Sequence, residues 1–161
     1  METTFKDQAD LSYKMVQSGV ELATSLRAKG LFICLDAVSD PGILKGLHVD
    51  HTNVILVVRN KEGMKIAEEL GYKNVLVPPV LLNRMGQIKT SVILAFSQRM
   101  LDTGDRIVFL VGPAQGHLDT LVAMRVGDEW EMFRTANQPR LTEHIKRVVF
   151  QQVLTIALEL A

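Results

Sequence analysis

The sequence predicts an α/β protein in which helices cover both faces of a sheet. Unbroken apolar runs such as Asn53–Val58 are typical of parallel strands buried on both faces. Segments with helical spacing of apolar residues alternate with these runs, which is the pattern of a layered α/β domain. The stretch Gly104–Gly127 has the pattern strand, loop, strand. Because its loop of about seven residues is too short for a parallel crossover, the last strand is predicted to run antiparallel.

Local signals then give the bounds of each element. Four polar positions can accept hydrogen bonds from the free amides at the start of a helix. These predicted caps are Asp10 or Ser12, Asp40, Asn60 and Asn83. The predicted strands are Leu31–Leu35, Asn53–Val58, Asn74–Val77, Arg106–Val111 and Asp119–Val126. The predicted helices run from the first cap to about Lys29, with Gly30 as terminator, and over Gly42–Leu47, Lys61–Leu70 and Arg84–Leu101.

Composition excludes several classes of protein. The chain has 161 residues, enough for one domain with a sizeable core, and its 18 basic side chains balance 18 acidic ones. This balance gives no electrostatic footprint for nucleic acid or a membrane surface. The single cysteine, Cys34, lies in an apolar run and is predicted to be a buried hydrophobe. No signal peptide or run of roughly 20 apolar residues is present, so a cytoplasmic location is predicted, with no membrane contact.

The domain itself is predicted to span residues 10–127. Residues 128–140 then form a polar connector, and residues 141–161 form a C-terminal helix. From Val148 onward this helix is apolar almost all round, so it must be buried. Two interpretations remain open. The helix packs on the domain or across a homo-oligomer, or it is a linker that continues into a further domain.

Several motifs resemble the C-terminal, allosteric domain of pyruvate kinase. The second strand ends in Arg59-Asn60, and the hairpin begins with Gly104-Asp105 and returns through Met124-Arg125-Val126. The resemblance covers about residues 12–127. It implies a three-layer α/β/α fold with a five-stranded mixed sheet in the order 3-2-1-4-5. Kinase activity is not implied, because the catalytic part of that enzyme does not fit in this chain.

The C-terminal stretch QPRLTEHIKRVVFQQVLTIALELA carries a second resemblance. It is similar to the linker helix before the catalytic domain of bacterial diadenylate cyclases of the DNA-integrity-scanning type. That resemblance implies a sensor-type domain controlling a cyclase that makes cyclic di-AMP. The Asp-Gly-Ala and Arg-His-Arg motifs of the cyclase are absent from this sequence. The chain itself is therefore predicted to be non-catalytic.

A candidate ligand site follows from the implied strand order. Ligands of open α/β sheets bind at the carboxyl ends of strands where the strand order reverses, here between strands one and four. The predicted site residues are Asp36, Ser39, Asp40, Gly112, Gln115, Gly116, His117, Asp119 and Thr120. They offer carboxylates, an amide, an imidazole and hydroxyls, which suit a small polar effector. The carboxylates argue against the sugar bisphosphate that binds in the resembled family. No cofactor or metal is predicted.

Structural roles are the alternative for each of these residues. Asp40 can cap a helix, Asp119 can fix the hairpin, and His117 can be a solvated loop residue. Two other functions also remain open: an acid–base enzyme using His117 with Asp36 or Asp119, and a purely structural dimerisation module. Nucleophilic catalysis by Ser39 is disfavoured because the sequence around it lacks a Gly-x-Ser-x-Gly elbow.

Overall fold

The computed structural model describes residues 2–114 and 116–127, together with Val149, Gln152, Val153, Ile156 and Ala157. The predicted connector lies outside the described residues, and the five described residues of the predicted C-terminal helix are helical. The helices are α1 (Glu2–Leu26), α2 (Lys61–Glu69) and α3 (Arg84–Ser97), and the strands are β1 (Gly30–Cys34), β2 (Asn53–Val58), β3 (Lys73–Leu76), β4 (Arg106–Val111) and β5 (Thr120–Arg125). Two short 3₁₀ helices, Leu35–Ala37 and Pro41–Leu44, follow β1.

The five strands form one sheet in the order β3-β2-β1-β4-β5. The strands β1 to β4 are mutually parallel, and β5 pairs antiparallel with β4. This arrangement confirms the fold class, including the reversed edge strand. The order reverses between β1 and β4, and the carboxyl ends of these two strands are the position where ligands of open α/β sheets bind.

The core lies on both faces of the central strands. All five residues of β1 are buried, and Phe32 stacks on Phe109 of the neighbouring strand with ring centroids 5.2 Å apart. Helix α1 covers the opposite face, where a Cβ at Gly19 would come within 2.9 Å of Leu110 Cδ1. Helix α3 lies on the face of the two phenylalanine rings, because its Gln87 accepts a hydrogen bond from Cys34. The sheet therefore separates α1 from α3.

Helix α1 differs from its prediction at both ends. It begins at Glu2, and Ser12 lies inside it with 1% of its surface exposed instead of capping it. It ends at Leu26, and Arg27 takes the left-handed conformation with φ 50° that was expected of Gly30. Gly30 is instead the first residue of β1. A side chain there would collide with the Phe32 ring, since its Cβ would lie 2.8 Å from Cε2.

The caps and bounds of the later elements follow the prediction more closely. Oxygen atoms of the Asp40, Asn60 and Asn83 side chains accept from backbone amides at 2.8, 2.8 and 2.7 Å. Helix α3 ends four residues earlier than predicted, and the predicted helix Gly42–Leu47 is the 3₁₀ helix Pro41–Leu44. Within the described part of the chain, no helix has the length and apolar character required to cross a membrane.

Candidate functional site at the carboxyl ends of β1 and β4

The turn after β1 and the loop after β4 are in contact, as the strand order requires. A Cβ built on Gly112 would lie 3.2 Å from the Ala37 side chain. It would also lie 2.9 Å from the carbonyl carbon of His117, across the hairpin loop. Gly112 therefore allows the loop to fold back on itself against the β1 turn. Both predicted segments of the site meet here.

Hydrogen bonds donated by backbone amides fix the hairpin loop at three places. The Gly116 amide donates to the Pro113 carbonyl at 3.0 Å, and the Asp119 amide donates to Val111 at 3.2 Å. The Leu118 amide donates to Ser12 Oγ at 3.1 Å. Because Ser12 belongs to α1, this bond joins the loop to the helix on one face of the sheet. The buried hydroxyl of Ser12 is thus a loop anchor.

Asp119 joins the same loop to the helix on the other face. Its two carboxylate oxygens accept from the guanidinium of Arg84, the first residue of α3, with Nε at 3.0 Å from Oδ1 and Nη2 on Oδ2. Thr120 Oγ1 donates to Asp119 Oδ1 at 2.7 Å. The Arg84 hydrogen bond lowers the pKa of the Asp119 carboxyl, and the same pair raises the pKa of Arg84.

This shift fixes the sign of the pH dependence. A carboxyl group with a lowered pKa in the folded chain stabilises the fold above its ordinary titration range. The contribution is lost only when the pH falls through the lowered value. The link between the hairpin loop and α3 therefore remains intact in neutral and mildly acidic solution.

Asp36 is also paired with an arginine. Its Oδ2 lies 2.7 Å from Nε of Arg59, at the end of β2, and the two side chains are 21% and 19% exposed. Oδ2 is buried and makes no well-aligned hydrogen bond among the described residues, so the charge of Arg59 is its compensation. Arg59 Nη1 also donates to the Val80 carbonyl at 3.1 Å. The pair connects the turn after β1 to the loop before α3.

The other predicted site residues have mixed roles. Asp40 caps the 3₁₀ helix, and Ser39 is exposed. Gln115 lies outside the described residues. His117 is half-buried, and its Nδ1 atom is buried with no hydrogen-bond partner among the residues that the structure describes. That nitrogen is therefore an unsatisfied polar atom within the hairpin loop.

The thiol of Cys34, the last residue of β1, is chemically quiet. Burial raises the pKa of the Cys34 thiol, which keeps it protonated and unreactive. Over residues 2–114 and 116–127, no group of three or more His, Cys, Asp and Glu side chains is arranged to hold a metal ion. His48, in the segment between the 3₁₀ helix Pro41–Leu44 and β2, contacts Asp50 at 3.1 Å.

Sequence reasoning missed Arg84, Arg59 and Ser12. A detectable signal existed for Arg84, because a cation at the start of a helix opposes the helix dipole and is stabilised by a nearby anion. Arg59 was noticed only as part of a family motif. Ser12 gave no signal, since its partner is the amide of Leu118, 106 residues away in the chain.

Comparison with known sequences identifies the family. Residues 11–133 match the family described as "Probable sensor domain DacZ_P". The chain belongs to this family. The match covers the whole sheet and the hairpin loop, so the DacZ_P domain contains every described residue of the candidate site. None of the curated proteins matches the chain.

Solved structures with the same fold as this DacZ_P domain include pyruvate kinases. Two structures of pyruvate kinase from Cryptosporidium parvum match with TM-scores of 0.59 and 0.57, each at 15% identity. Each match covers 71% of this chain and 22% of the enzyme, in the region of its C-terminal domain. The chain thus spans about a fifth of the length of these enzymes. At this identity the likeness establishes the fold alone.

Proposed function

We propose that this DacZ_P domain is a non-catalytic sensor that binds a small polar ligand at the carboxyl ends of β1 and β4. We further propose that it controls an attached diadenylate cyclase domain, which makes cyclic di-AMP. The family description and the resemblance of the C-terminal stretch to a cyclase linker support this function. The ligand is expected to contact the hairpin loop and the turn after β1.

One observation carries the proposal. The hairpin loop is bonded to α1 through Ser12 and to α3 through Arg84, on opposite faces of the sheet. A ligand that favours one arrangement of this loop changes the free energy of both contacts. A loop linked in this way can report occupancy of the site to both helical layers.

The chemistry of the site favours a neutral, hydroxyl-bearing ligand. Its two best-placed carboxylates, Asp36 and Asp119, are already neutralised by Arg59 and Arg84. A cationic ligand would have to displace an arginine. If the hairpin loop opens around the buried His117 Nδ1, a hydroxyl group could instead donate to this nitrogen, which has no partner among the described residues.

The same contacts argue against the acid–base enzyme. A general base needs a pKa near the working pH, whereas Arg84 lowers the pKa of Asp119. The carboxylate of Asp119 bonds Arg84 and Thr120, so it does not orient His117 as a catalytic partner would. These contacts support a binding role.

A thermal-shift screen tests the ligand proposal. Sugars, sugar phosphates, amino acids and nucleotides are added to the chain at millimolar concentration. A ligand at about 100 times its Kd stabilises the fold by about 2.7 kcal/mol. We expect at least one compound to stabilise the fold. We expect the affinity for that compound to fall about tenfold in the variant His117→Ala. Lys61→Gln, on the exposed side of α2, is the matched control. A screen with no stabilising compound contradicts the proposal, as does one whose effect survives His117→Ala unchanged.

We also propose that the C-terminal helix pairs subunits. Val149, Val153 and Ile156 recur at helical spacing and are 46%, 58% and 55% exposed. A second copy of this apolar stripe is the partner that matches it best. Ile156→Glu should convert the oligomer to a monomer in sedimentation equilibrium, because burying a charge in the stripe is unfavourable. An unchanged mass would contradict pairing through this face.

A further inference from the structure

The amino ends of β1 and β4 carry a row of cations, at the opposite end of the sheet from the proposed ligand site. Arg106 of β4 lies directly opposite Arg125 of β5 in the antiparallel register. Lys29 precedes β1, and its backbone amide donates to the Arg106 carbonyl at 2.7 Å. These three residues, the basic row, occupy adjacent strand positions about 5 Å apart. All three are exposed.

Backbone carbonyls hold both guanidinium groups of the basic row in place. Arg106 Nη1 donates to the Leu26 carbonyl at 3.3 Å, at the end of α1. Arg125 Nε donates to the Gly104 carbonyl at 3.0 Å. Each group keeps further N–H donors for another partner. The guanidiniums are therefore positioned, and positioning favours bidentate binding of an anion.

The charges of the basic row are uncompensated in the described residues. Like charges directly opposite each other in a sheet are destabilising, and none of the three residues makes an ion pair with a carboxylate in the described ranges. Asp102 and Asp105 are the acids nearest to Arg106 in the sequence, but the Asp105 carboxylate accepts from the Asp102 amide. An anion bound between the two arginines would remove their repulsion.

We propose that the basic row is a second binding site, which takes a phosphate-bearing ligand. Guanidinium groups match phosphate geometry, and three adjacent cations favour a ligand with more than one negative charge. The site goes beyond the proposed sensor function and lies at the other end of the sheet. Either proposal can therefore fail without the other.

Inorganic pyrophosphate is the probe, measured by isothermal titration calorimetry at low ionic strength. Arg125→Glu places an opposite charge across from Arg106, which should maintain or raise the Tm. The same change should weaken pyrophosphate binding at least about tenfold. Lys61→Glu makes the same change in net charge on α2 and should alter the affinity less than about twofold. Retained Tm together with lost binding separates an anion site from a structural role.

Three results would overturn this inference. Equal losses in Arg125→Glu and Lys61→Glu would show that only net charge matters. Loss of binding in Arg84→Gln but not in Arg125→Glu would assign the anion to the hairpin loop.

The third result concerns the acidic run that follows the hairpin. The sequence continues after Gly127 with Asp128, Glu129 and Glu131. If pyrophosphate bound only after these three were changed to amides, the partner of the row would be the chain's own acidic run.

Discussion

Gly112→Ala should destabilise the chain by about 3 kcal/mol, which corresponds to a fall of roughly 6–12 °C in Tm. The added Cβ would lie far inside van der Waals contact with the His117 carbonyl oxygen and within 3.2 Å of Ala37. Both neighbours are held by the backbone of the loop and of the turn after β1. Relief therefore requires the hairpin loop to move away from β1. Thermal unfolding followed by circular dichroism measures the change.

Gly46→Ala provides the matched control. Gly46 has φ 71°, and nothing lies within 4 Å of a Cβ built there. Its cost is therefore backbone strain alone, about 1 kcal/mol. If the two substitutions cost the same, the close approach of the loop to β1 does not constrain the fold. A ligand found in the screen should also bind Gly112→Ala more weakly and Gly46→Ala normally.

Arg59→Met should cost a similar amount, about 3 kcal/mol. Methionine keeps the aliphatic length of the side chain but removes the charge that lies 2.7 Å from Asp36 Oδ2. It also removes the hydrogen bond to the Val80 carbonyl. A carboxylate that is four-fifths buried then has no compensation. Urea denaturation measures the loss.

The double change Asp36→Asn with Arg59→Met separates the two causes. Removing the buried charge should recover more than half of the lost stability, because the penalty of Arg59→Met is mainly the unpaired carboxylate. The coupling between the two sites follows from the double-mutant cycle. A double variant as unstable as the sum of the two single ones would show that Asp36 and Arg59 act independently.

The sheet could be predicted because each strand is dictated by a local pattern. Unbroken apolar runs mark β2 and β4, and the short Gly112–Gly116 loop requires the reversal of β5. Asparagine caps are equally local, since Asn60 and Asn83 each bond an amide three residues further along. The strand order came from the family resemblance, because no local pattern encodes it.

Features that depend on contacts distant in sequence could not be predicted. Gly30 resembled a helix terminator, yet it is required by the ring of Phe32 and lies in β1. Ser12 resembled a cap, yet its hydroxyl is buried beneath the hairpin loop. The prediction found the carboxylates of the site but not the arginines that neutralise them. This difference narrows the proposed ligand from any small polar molecule to a neutral, hydroxyl-bearing one.

Amide chemical shifts of the isotopically labelled chain, titrated with each stabilising compound, test the central claim most directly. A ligand at the carboxyl ends of β1 and β4 should perturb the amides of residues 36–40, 112, 114 and 116–120. The perturbation should extend to Ser12 and Arg84, which join the loop to the two helices. Shifts confined to other parts of the chain, or shifts that leave Ser12 and Arg84 unchanged, would contradict a sensor that works through this loop.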